Sequence, residues 1–462
     1  MTADRQDGRK TAHLIEWALF LAVVGGFIRM AWMTIDKGYF PQPFFWDSDD
    51  TWRDWFSTSV WAHETGAYDS WLTVYPPLSF VILKLFSNPA CYDLAWDKEA
   101  RICDWVGVGA IHLIFIFNIF LTAWVFMKVD RKTALQRSVA LSAGMPMLFG
   151  LERGNLIMLC YTFVLLGFGP LVKSARLRWL CVGLAVNLKI YLISGIFVQL
   201  LRRKWLGFEG MILSVIFVYL VSYFLFGDGT PIQIFNNLVN FAGGTSFTPN
   251  QILEIWYPNT YNALYYVLAD SPAPLSMFVD SRVIDTAVFV VPLAVRSGQV
   301  IIILAAIATW LRPEAVPPYR VTFLGIALAM ITTETSAYTQ PLLIFFVFLE
   351  SWKGWARPAA ITACYILCIP GEILLSSATP TIQYSFIGGR YVVFEQGLAL
   401  GMFLRPFLLL FCTYMLGLYT IWEVFRDVRR QGWKDRWRFR NDWPLLPRIV
   451  RPRPPAVTAD PG

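Results

Sequence analysis

Between Trp46 and Phe56 the chain reads Trp-Asp-Ser-Asp-Asp-Thr-Trp-Arg-Asp-Trp-Phe, which places five ionisable side chains within eight residues of an otherwise apolar sequence. Carboxylates at this density can take a proton from a hydroxyl nucleophile, neutralise a cation or bind a divalent metal. As a helix starting near Asp49, the stretch sets Trp52, Trp55, Phe56, Ser59 and His63 on one stripe and Asp50, Arg53, Asp54 and Ser57 on the other. Asp50 and Asp54, four residues apart, then share a face. Acidic residues at the start of the segment suit a helix N-terminus. The spacing expects an aromatic-anchored helix on a membrane surface that presents a carboxylate pair. An N-cap followed by a solvated acidic face fits the same residues.

Other ionisable groups sit where apolar runs surround them, and charge at membrane depth is costly enough to ask for a role. Glu152-Arg153 with Asn155 reads as the tip of a helical hairpin. The pair either neutralises itself while capping two helices or offers Arg153 to an anionic substrate group. Lys189, inside the run Ala-Val-Asn-Leu-Lys-Ile-Tyr, is better placed to hold a phosphate than to snorkel, with Tyr191 beside it. Glu334, Thr335, Tyr338 and Gln340 form another polar break, in which Glu334 and Tyr338 could bind hydroxyls. Tyr75 opens Tyr-Pro-Pro-Leu, and Arg390 follows Gly388-Gly389 as either an interface arginine or a substrate contact.

The elements that must position these groups are membrane helices. Hydrophobic residues make up 56% of the 462 and charged residues only 15%, where a soluble chain carries about a quarter charged. Mean hydropathy is +0.50. The fold class expected is all-α and polytopic, with about a dozen spanning or re-entrant helices. The segments fall near 13–34, 105–127, 138–151, 155–172, 179–188, 190–202, 206–227, 284–311, 320–333, 340–352, 358–376 and 399–423. Several are shorter than the roughly twenty residues of a full crossing, so they pair as hairpins that line a cavity.

The net charge of +7 does not point to nucleic acid, because the basic residues collect in short segments between apolar runs. If the segments alternate, these basic segments all fall on the cytoplasmic side with both termini. The acidic and aromatic loops 37–104, 228–282 and 377–397 then fall outside. Residues 1–12 form a short cytoplasmic start, 13–423 the membrane domain, and 424–462 a basic, Pro-rich tail against anionic headgroups. The aromatic segment 256–262 suits sugar stacking or an interfacial belt.

Seven cysteines and three histidines show no metal-ligand spacing. Cys91 and Cys103 share the first outer loop and could pair in an oxidising compartment. A divalent cation on Asp47, Asp49 and Asp50 is chemically possible, but the reading adopted is metal-independent, with no cofactor.

The ordered set of an acidic loop after the first span, Asp-Thr-x-x-Asp-Trp-Phe, Tyr-Pro-Pro-Leu, Glu-Arg-Gly-Asn and Lys-Ile-Tyr resembles the C-class membrane glycosyltransferases. The nearest branch is the bacterial polyprenol-phosphate-dependent mannosyltransferase-like family. The resemblance covers about residues 13–423. It implies a bacterial plasma-membrane enzyme with its active site on the outer face, transferring one sugar with inversion from a polyprenyl-phosphate donor to a glycan or glycolipid acceptor. It also implies an aspartate base, matched first by Asp50, then Asp54 and Asp49, with Arg153 and Lys189 on the donor phosphate. Two other readings use the same membrane architecture. A polymerase or ligase using polyprenyl diphosphate would carry an arginine-rich outer loop, and a lipid or solute transporter would show a repeat with its polar load at the midplane.

Overall fold

The structure is a computed structural model that describes residues 2–42, 44, 49–93, 96–243, 280–332, 335–375, 380–394 and 399–432. Asp47, Glu334, the 256–262 segment and the tail beyond residue 432 lie outside the described residues.

Helix α1 (Thr2–Lys37) leads into a loop holding α2 (Arg53–His63), α3 (Pro77–Leu85) and α4 (Asp97–Cys103). Then come α5 (Trp105–Val129), α6 (Ala134–Ser142), α7 (Met145–Arg153), α8 (Ile157–Phe168) and α9 (Ala175–Val186). A 3-10 segment, Ile190–Ile196, joins α9 to α10 (Phe197–Leu201), followed by α11 (Trp205–Phe226) and α12 (Pro231–Gly243). The rest is α13 (Ser281–Leu311), α14 (Pro318–Thr332), α15 (Pro341–Phe348), α16 (Ala356–Cys368), the strands β1 (Thr381–Ser385) and β2 (Arg390–Phe394), and α17 (Gly401–Gln431).

Among the described residues five helices are long and apolar enough to cross a membrane: Thr11–Lys37, Trp105–Val129, Trp205–Phe226, Ser281–Leu311 and Phe403–Gln431. Their outward faces are apolar too. Leu113, Phe117, Phe120 and Trp124 are exposed along α5, as are Phe217 and Phe224 on α11. Such continuous apolar surface is stable in hydrocarbon and not in water. The remaining apolar helices are shorter and pack inside this shell.

Expected span 138–151 is two helices instead, α6 and α7, broken at Ala143-Gly144. A Cβ on Gly144 would lie 2.1 Å from the Ala140 carbonyl oxygen, and Pro146 has no N–H to continue the ladder. The expected breaks at Gly154-Asn155 and at Asn187-Leu188-Lys189 are present. Asn187 ends α9 and donates to the Gly183 and Val215 carbonyls at 2.9 and 3.0 Å, which seals a chain break at depth. At the C-terminal end α17 runs on to Gln431, past the expected boundary at 423.

Several buried arginines are paired with carboxylates away from the first loop. Buried Arg320 holds Glu350 and Glu423, Arg137 holds Glu16 at 2.7 Å and donates to the Glu350 carbonyl at 2.8 Å, and Arg312 holds Asp427 at 2.6 Å. Charges this deep are tolerable only when paired, so the network ties α1, α6, α14 and α17 together. Glu16 lies within α1, 22 residues before Gly38, which follows the end of that helix and accepts from Ser385 of β1. At 1.5 Å per residue the two residues stand roughly 30 Å apart, one bilayer core.

The first loop folds back on the bundle. Trp55 and Phe56 of α2 and Phe80 of α3 are fully buried, each worth about 1.5–3 kcal/mol of burial. The 377–397 loop departs from the all-α expectation. β1 and β2 pair antiparallel with Ser385 opposite Arg390, and Val392 and Phe394 point into the core while Tyr391 and Val393 do not. The hairpin packs on the chain after α1, with Tyr39 and Phe394 rings 4.4 Å apart.

Candidate active site

The carboxylates of the first loop are gathered by a different device from the expected helix face. α2 starts at Arg53, and Trp52 before it is left-handed at φ 61°. Asp50 therefore lies outside the helix, in a turn whose carbonyl accepts from Arg53 N at 3.0 Å. What brings Asp50 and Asp54 together is Arg153. Its guanidinium donates to Asp50 Oδ2 at 3.1 Å and, through its other Nη, to Asp54 Oδ1. Asp50 Oδ1 is held by Arg53, and Asp54 Oδ2 accepts from Asn155 Nδ2 at 2.7 Å. Arg153, expected either to be neutralised locally by Glu152 or to face a substrate phosphate, has both ends of its fork on carboxylates in this structure.

Local sequence explains the geometry. Gly154 caps α7 at φ 61°, and Asn155 N closes the turn on the Gly150 carbonyl at 3.0 Å. Asn155 Oδ1 accepts from Ile157 N at 2.9 Å, so its amide nitrogen is turned toward Asp54. The Glu152 carbonyl accepts from Trp52 N at 2.7 Å, which docks the α7 tip on the strained residue between the two aspartates. A Cβ on Gly154 would come within 3.1 Å of both Trp52 Cα and Trp55 Cβ. Gly154→Ala is accordingly expected to lower unfolding stability by roughly 1–3 kcal/mol. Thermal unfolding of the purified protein checks this, and an unchanged midpoint would mean the tip does not dock as described.

Three tyrosines close the site. Tyr338, in the 3-10 turn Ala337–Thr339, lies beside Asn155 and within electrostatic reach of Asp54, Arg153 and Tyr75. Tyr191 interacts with Tyr338 and Tyr75, and its buried hydroxyl has no hydrogen-bond partner among the described residues. Lys189 Nζ is 3.4 Å from Tyr75 Oη and 4.5 Å from the centre of that ring. Asp50, Asp54, Glu152, Arg153, Asn155, Tyr75, Lys189, Tyr191 and Tyr338 thus fall in one region. Gln340 is buried at the start of α15. Arg390 is exposed at the start of β2, beside Gly38, and is not among the groups that touch the carboxylates.

Asp49 has other partners, Lys98 and Arg101. Burial alone would raise its carboxyl, but the Lys98 and Arg101 contacts outweigh this and hold it below the usual carboxylate range. Its ion pairs therefore stabilise the fold above that range and are lost as pH falls through the lowered value. With Asp49 bonded to Lys98 and Arg101, and Asp50 to Arg53 and Arg153, these oxygens are taken by cations of the chain itself. Sequence reasoning missed Lys98, Arg101 and Asp97. The signal was the pair Cys91 and Cys103, which form a disulfide and carry α4 against the acidic segment.

The chain matches no family model, no curated protein and no solved structure.

Proposed function

We propose that this protein is a membrane glycosyltransferase that moves one sugar, with inversion, from a polyprenyl-phosphate donor to a lipid-linked or cell-envelope glycan acceptor. The reading places the carboxylate cluster at the outer face of a bacterial plasma membrane and both termini in the cytoplasm. The observation that carries it is the Asp50–Arg153–Asp54–Asn155 cluster, built on a hairpin tip and closed by Tyr338, Tyr191 and the Lys189–Tyr75 pair.

Asp50 has a guanidinium on each oxygen, so both are engaged by cations of the chain. One Asp54 oxygen is bonded to Arg153 and the other to the neutral amide of Asn155, and this reading assigns Asp54 as the base. In the step proposed, Asp54 takes the proton of the acceptor hydroxyl while that hydroxyl's oxygen bonds the anomeric carbon from the face opposite the phosphate. The bond from that carbon to phosphate oxygen breaks, and polyprenyl phosphate leaves with the electron pair. Lys189 neutralises the departing phosphate, and the unpaired Tyr191 hydroxyl is available to the sugar or the phosphate. Arg153 orients both carboxylates.

The test is transfer of labelled sugar from a panel of synthetic polyprenyl-phosphate donors by purified protein in lipid. Transfer that persists after chelator treatment is expected, because cations of the chain already occupy the acidic oxygens. Loss of transfer to the chelator would overturn the metal-independent step. If no donor reacts and vesicles instead show movement of a lipid or solute, the transporter reading replaces this one.

A further inference from the structure

The backbone on either side of Asp50 is bonded to α4. Arg101 Nη1 donates to the Asp49 carbonyl at 2.7 Å and to the Thr51 carbonyl at 2.6 Å, so one guanidinium brackets Asp50 on both sides. Its other Nη donates to Asp49 Oδ1 at 3.2 Å. Arg101 is only 4% exposed, and Phe386, in the turn between β1 and β2, lies 3.8 Å over its guanidinium plane. Asp97 extends the grip by accepting from Ser57 at 2.9 Å and from Arg53 at 3.0 Å.

A helix of seven residues does not hold itself. α4 ends at Cys103, which is bonded to Cys91 with the two Cα atoms 5.7 Å apart. Cys91 is buried, whereas Cys103 is an exposed residue, so Cys103 is the side from which a thiol in solution would approach the pair.

We propose that Arg101 is the positioning residue of the carboxylate site and that the Cys91–Cys103 disulfide keeps it there, so the site is built only while this pair is oxidised. The reduction that undoes it needs a dithiol. One thiolate bonds Cys103 Sγ, the disulfide breaks and Cys91 leaves as thiolate, later protonated. The second thiol of the reductant then displaces Cys103, and the reductant departs as its cyclic disulfide, having given two electrons to the pair. With both thiols free, α4 loses its anchor and Arg101 its register on Asp49 and Thr51. The catalytic half of the inference rests on the function proposed above; the structural half does not.

Hydrogen exchange on the full-length protein in lipid nanodiscs tests it without any substrate. In the oxidised protein the Trp52 and Arg53 amides are bonded to the Glu152 and Asp50 carbonyls and are expected to exchange slowly. Arg101→Gln, and dithiol treatment of the unaltered chain, are each expected to speed their exchange by at least about tenfold while α6 is unchanged. Arg101→Lys should fall between, since an ammonium cannot bracket two carbonyls in one plane. Dithiol treatment of Arg101→Gln should add little, because the disulfide acts through Arg101. Unchanged exchange at 52–53 in Arg101→Gln, or on reduction of the unaltered chain, would overturn the proposal. If Arg101→Gln does not fold, the reduction experiment alone decides. With a donor that reacts, Arg101→Gln should lower kcat by about tenfold or more and leave KM within about twofold. A rise in KM alone would mean Arg101 does not position the base. A panel in which no donor reacts, beside the expected exchange result, overturns the proposed function and leaves the brace standing.

Discussion

Replacing Arg153 by methionine is expected to remove about 3–5 kcal/mol of unfolding stability, together with all transfer activity. The size follows from burial. Arg153 and Asp50 are 6% and 7% exposed, and Arg153 spans two carboxylates at once. Methionine fills much of the volume but leaves Asp50 with Arg53 and Asp54 with Asn155, so an uncompensated negative charge stays buried. Arg153→Lys should recover only part, because a single ammonium cannot serve both carboxylates in the fork geometry. Adding Asp54→Asn to Arg153→Met should cost less than the two single changes summed, with a coupling of about 0.5–3 kcal/mol. Denaturant or thermal unfolding in a fixed detergent reads these values. An Arg153→Met protein within about 0.5 kcal/mol of the parent would show that the cluster is a loosely held surface arrangement, and the site with it would fall.

The sequence was most legible where one residue type has one physical use. Apolar runs bounded by basic clusters located the helices. Glu-Arg-Gly-Asn located a hairpin tip, because glycine followed by asparagine supplies both a left-handed cap and the start of the next helix. What did not show was pairing across long separations. The α-helical spacing of Asp50 and Asp54 pointed to a shared face, yet Trp52 takes a backbone conformation that a bulky residue adopts only when surroundings impose it. The surroundings here are Glu152 and Gly154, a hundred residues on. Arg153 was read toward a substrate because its acidic neighbours in space were not its neighbours in sequence. Arg101 carried no periodic signal. Only the disulfide that fixes its helix and the hairpin that covers it make it part of the site. That hairpin was legible as a loop and not as strands, since alternation over five residues is too short to outweigh a helical context.

Asp54→Asn and Asp50→Asn are expected to separate catalysis from stability in opposite directions. If Asp54 is the base, Asp54→Asn removes the group that receives the proton, and transfer should fall by about a hundredfold to ten-thousandfold. Its structural cost is smaller, since Asp54 has a single guanidinium partner and sits at the first turn of α2, where part of its interaction is with the helix end. Asp50 is the reverse case. It stands between Arg53 and Arg153, so an amide there leaves two guanidinium groups facing one neutral side chain and destabilises the loop more. Its effect on transfer acts through the orientation of Arg153 and should be about tenfold. Both variants are measured for transfer and for unfolding on the same preparation. A larger loss of transfer in Asp50→Asn than in Asp54→Asn returns the base to Asp50 and makes Asp54 the orienting carboxylate. Full transfer in both, with stability reduced, would show that the four-residue cluster is an ion-pair lock between the first loop and the α7 tip. The reacting groups would then have to come from the tyrosine and Lys189 side of the same region, which Tyr75→Phe and Lys189→Met would locate.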